Sequence, residues 1–60
     1  MTPGKLLIAQ RLCEAAHELR AIVELMDEYR HDPAWLAVAQ DLTAAAATAQ
    51  WWATEVRAER

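Results

Sequence analysis

Apolar positions along this chain fall into two runs that step alternately by three and four residues, the spacing that keeps one stripe of an α-helix against one neighbour. The first run is Ile8, Leu12, Ala15, Leu19, Ile22, Met26 and Tyr29, widened along one flank by Ala9, Ala16 and Val23. The second is Trp35, Val38, Leu42, Ala45, Ala49, Trp52 and Val56, with Ala39, Ala46 and Ala53 recurring every seventh residue beside it. Between the runs stands Asp32-Pro33. Aspartate suits a helix N-cap, and proline suits the first helical position, where its missing N–H would have no partner anyway. The pattern predicts an all-α chain in a single domain, 1–60: helix 1 over 5–30, a turn at 31–33, and helix 2 over 33–58, folded back as an antiparallel hairpin. The alternative is a split of helix 2 near Thr43 that would give three helices, although no glycine or proline marks a break there.

The alanine flank of helix 2 admits two roles. Small residues in register let two helix backbones approach closely, which makes Ala39, Ala46 and Ala53 a candidate tight contact. Alanine is also the strongest helix former, and the run 44–47 would serve that end alone.

A stripe this wide suits a bundle in which each helix has more than one neighbour. Sixty residues with 55% hydrophobic content describe a folded module. Yet a chain of this size buries only ~60% of the surface its unfolded form exposes, so a partner subunit is a common remedy. Dimerisation of the hairpin into a four-helix bundle is therefore expected, through an interface drawing on Ile8, Leu12, Leu19, Ile22, Met26, Trp35, Leu42, Ala46 and Trp52.

Two outer faces suggest a further partner. At about 100° per residue Trp51 lies nearly opposite the helix 2 stripe, among positions that carry no charge between Asp41 and Glu55, so one hairpin cannot bury both Trp51 and Trp52. On helix 1, Glu14, Glu18, Glu24 and Glu28 fall within an arc opposite the stripe, and from Glu14 to Asp41 there are seven acids against two arginines. Such a face is either simply solvated or docks on a protein with a basic surface. Direct binding to nucleic acid is not expected, because the net charge is −3 and the six cations are scattered among nine acids.

Location and chemistry narrow the field. The longest uncharged stretch, 42–54, is shorter than the ~20 apolar residues of a membrane span, so no membrane role is expected. No secretory signal is visible at the N-terminus, and a single cysteine, Cys13, suits a reducing compartment; the expected location is cytoplasmic. Two Glu-x-x-His pairs, Glu14 with His17 and Glu28 with His31, match the spacing used by di-iron bundles. Both lie off the stripe, and helix 2 offers as carboxylates only Asp41, Glu55 and Glu59, so no metal or other cofactor is expected. With no serine and no glycine-rich loop, enzymatic activity is not expected either. The expected function is a small non-enzymatic regulator or adaptor that oligomerises and docks on another protein through its acidic face, its Trp51 face or both. In the most specific form it would inhibit a nucleic-acid-binding target. The alternatives are a purely structural self-assembly module and a metal-binding bundle.

Overall fold

In the computed structural model, which describes residues 3–58, the chain forms α1 (Pro3–Leu25), a single 3-10 turn (Met26–Tyr29) and α2 (Pro33–Ala58). The molecule is 45 Å long and 14 by 11 Å across. A 26-residue helix such as α2 is ~39 Å long at 1.5 Å per residue. Two helices can share that length only by lying side by side, so the short turn makes the hairpin antiparallel. The radius of gyration is 13.9 Å. A compact chain of this length would have ~10.4 Å, so the hairpin is a thin rod.

The turn forms where Asp32-Pro33 places it. Asp32 Oδ1 accepts a hydrogen bond from the Ala34 N–H at 2.9 Å, and the Asp32 carbonyl accepts from Leu36 N–H, opening α2. The first helix ends sooner than the apolar pattern predicts, because residues 26–29 wind more tightly into a 3-10 turn. The Arg30 N–H bonds the Asp27 carbonyl at 3.2 Å and the Asp32 N–H bonds that of Tyr29 at 2.9 Å. Proline disfavours helical geometry in the residue before it, so the first helix ends ahead of Pro33 and the chain reverses within a few positions, and the tighter winding satisfies carbonyls on the way. Tyr29 then stacks on Trp35, ring centroids 5.3 Å apart, closing the end of the rod. Asp32→Ala removes the cap and is expected to lower stability by about 1 kcal/mol, read as a lower urea midpoint with an unchanged slope. The second helix runs unbroken through Thr43.

The helices meet along alanine. Ala9, Ala16, Ala46 and Ala53 are fully buried, and no large side chain among the described residues is. The bond from Gln50 Nε2 to Cys13 Sγ at 3.8 Å, together with the burial of all four alanines, fits an antiparallel register that carries Ala16 close to the level of Ala46 and Ala9 close to that of Ala53. Along the same seam sit half-buried Leu12, Leu19 and Val23 of α1, Met26 of the 3-10 turn, and Ala39, Leu42, Ala49 and Val56 of α2. Those positions again step by three and four.

The seam is therefore rotated from the predicted one. Ile8, Ala15, Ile22 and Tyr29 of the first stripe are exposed, as are Trp35, Val38, Ala45 and Trp52 of the second. The flanks of seventh-residue alanines form the contact instead. Methyl side chains let the backbones approach toward the short end of the ~8–10 Å range of helix separations, which bulky residues in the same place would prevent. Ala46, grouped above with the dimer interface, is buried against α1 of its own chain, so its contact is within the hairpin.

Candidate functional site

The site to explain is a surface. Because α1 and α2 run antiparallel, the exposed residues just beside the seam on one side come from both helices: Ile8, Ala15 and Ile22 from α1, and Val38, Ala45 and Trp52 from α2. Together with the half-buried Leu12, Leu19, Met26 and Leu42, they make one apolar face along the rod. Ile8 is 54% exposed and Trp52 51%. Bulk sits toward the two ends of this face, and Ala15 and Ala45 sit near its middle.

The opposite flank of the same seam is polar. Helical position puts Cys13, Arg20 and Glu24 of α1 there, with Thr43, Gln50 and Arg57 of α2, and the Gln50–Cys13 bond closes it. Thr43 is satisfied within its own helix, donating to the Ala39 carbonyl at 2.8 Å. One side of the hairpin is thus finished for water and the other is not.

On the back of α2, Trp51 is 54% exposed and forms an edge-type ring pair with Trp52, with ring centroids 4.6 Å apart and planes at 81°. Thr48 and Thr54 beside it donate to the carbonyls four residues back, at 3.0 and 3.2 Å. Those bonds explain how α2 carries an uncharged back without leaving hydroxyls unpaired.

All four glutamates expected to meet a partner are exposed, but the fold separates them into two pairs. Glu14 and Glu18 lie along the middle of α1; Glu24 sits at its last turn and Glu28 in the 3-10 segment. Neutralisation is slight: Arg11 approaches Glu14 at 4.0 Å, and Arg30 pairs with Asp27 at 2.9 Å, both exposed. Exposed pairs of this kind contribute at most ~1 kcal/mol. Leu25, 77% exposed, shares the arc of Glu14 and Glu18, which the stripe-centred reading of the sequence missed. Its signal was available: a leucine placed among acids, off both apolar runs.

The two Glu-x-x-His pairs part company. Glu14 and His17 share α1, whereas Glu28 lies in the 3-10 turn and His31 in the loop before α2, so the second pair has no regular helical face. Among the described residues no group of three or more His, Cys, Asp and Glu could hold a metal ion. A shallow groove lined by Trp52, Glu55, Val56 and Ala58 lies at the far end of α2. No helix among the described residues is long and apolar enough to cross a membrane. Comparison with protein-family models, curated proteins and solved structures finds no match to this chain.

Proposed function

We propose that this chain is a small non-enzymatic adaptor or regulator that works by binding other proteins, with its hairpins paired as a four-helix bundle in a reducing, cytoplasmic setting. One observation carries the reading: among the described residues the buried side chains are four alanines, while eleven large apolar side chains remain exposed. A chain that spends its bulk on its surface is built to be covered. The bundle pairing uses the apolar face, and the target docks on what stays outside it: Trp51, the acids Glu14, Glu18, Glu24 and Glu28, and Leu25 among them. Trp51 on the back of α2 and the acids with Leu25 on the back of α1 are two separate surfaces, and either can hold a target, the first through an aromatic anchor and the second through charge. Seven acids against two arginines between Glu14 and Asp41 favour a target with a basic surface, of the kind that otherwise holds nucleic acid.

The test is charge reversal. Tagged chain retrieved from its native host should carry one target in fixed proportion, and Glu24→Lys/Glu28→Lys should weaken that complex about 10-fold or more, with helicity unchanged and the loss steeper at low salt. Unchanged affinity in the double variant removes the acidic face from the reading. A self-assembly module with no further target is the second reading, favoured by the exposure of Trp51 as well as of the apolar face; it expects Trp51→Ala to reduce the assembly to smaller species, whereas the adaptor expects the assembly to survive and only target binding to fall.

A further inference from the structure

We infer that the apolar face bearing Ile8, Ile22, Val38 and Trp52 is an interface for a second copy of this chain, and that Trp51 and the acidic arc lie outside it. The inference rests on the association reading above and names which surface takes which occupant. Area supports it first. The hairpin exposes 4696 Å² at a mass of 6.8 kDa. A folded monomer of that mass exposes ~3,950 Å², leaving an excess of ~750 Å². A stable protein interface buries ~800 Å² on each partner, so one identical copy laid on this face removes the excess.

The distribution of charge points the same way. No charged side chain interrupts the face; by helical position Arg11 and Glu18 stand on its α1 rim, and Asp41 and Glu55 on its α2 rim. The other flank of the seam carries Arg20, Glu24 and Arg57, and on the back of α1 the acids would repel a second copy. Self-pairing through the apolar face sets like surface on like without opposing a charge array. Shape agrees as well. With Ala15 and Ala45 near the middle and bulk at both ends, two rods can approach closest at their midpoints, each placing its end residues beside the other.

Molar mass, measured by sedimentation between about 1 and 100 µM, tests the inference on three versions of the full chain: wild type, Ala45→Glu and Ala47→Glu. Both substitutions place the same good helix former at an exposed position of α2 and differ only in face, since Ala47 points away from the apolar one. Wild type and Ala47→Glu are expected at twice the chain mass. Ala45→Glu is expected to dissociate at least about 100-fold more readily, because it buries an unpaired charge at the centre of the interface. A dimer indifferent to Ala45→Glu overturns the inference. A wild-type monomer that binds an apolar-surface dye also overturns it while leaving the adaptor reading standing, the face being open to some other protein. A wild-type monomer that binds no dye and shields both adjacent indoles from a quencher removes both, because no open face then exists.

Discussion

Ala16→Leu is expected to lower the stability of the fold by about 1–3 kcal/mol, and more if the helices cannot shift apart. Ala16 is fully buried and close to the level of Ala46 on the facing helix, so three extra carbons have no room unless the backbones separate. Separation would in turn loosen the contacts of Leu12, Leu19 and Leu42 beside it. A 60-residue chain has ~3–9 kcal/mol to lose in total, so the effect is a large share of its stability. Ala21→Leu is the comparison. Ala21 is exposed and by helical position lies on the back of α1, away from both the seam and the apolar face, so the same change there is expected to be far milder. Chemical denaturation of the two variants reads the difference, and the order Ala21 worse than Ala16 would mean that the seam is misplaced.

The second large effect is on concentration. If the open face is covered only by pairing, the folded hairpin and the dimer are one equilibrium, and dilution removes stability by mass action. For a dimer of about 120 residues unfolding cooperatively, each tenfold dilution is expected to lower the melting temperature by about 6 °C. Calorimetry over two decades of concentration checks it. A midpoint that does not move with dilution would show that one copy holds its fold unaided.

The hairpin itself was legible from few residues. Asp32-Pro33 announces both the end of one helix and the capped start of the next, and the hydrogen bond at Asp32 Oδ1 forms as that chemistry requires. The seam was less so. Ile8, Ile22, Trp35 and Trp52 dominate any apolar stripe by size, and a stripe centred on them absorbs the alanines as a flank. Packing inverts that order, because helices joined by a short turn gain most from close backbone approach, which the alanines allow and the larger residues obstruct. The every-seventh repeat of Ala39, Ala46 and Ala53 was the usable signal. It was ambiguous because alanine also raises helix propensity wherever it stands. The shortened first helix was illegible for another reason: Met26 and Tyr29 continue the apolar spacing, and only the need to reverse before Pro33 tightens their turn.

Methyl and aromatic cross-peaks in an isotope-filtered nuclear Overhauser spectrum, recorded on a mixture of labelled and unlabelled chains, separate contacts within one hairpin from contacts between two. The expected spectrum shows Ala16 against Ala46 and Ala9 against Ala53 within one chain, with Ile22 and Trp52 reporting contacts across chains. Ile22 and Trp52 packed only within their own chain, with the Ala16 and Ala46 methyls facing water, would contradict it.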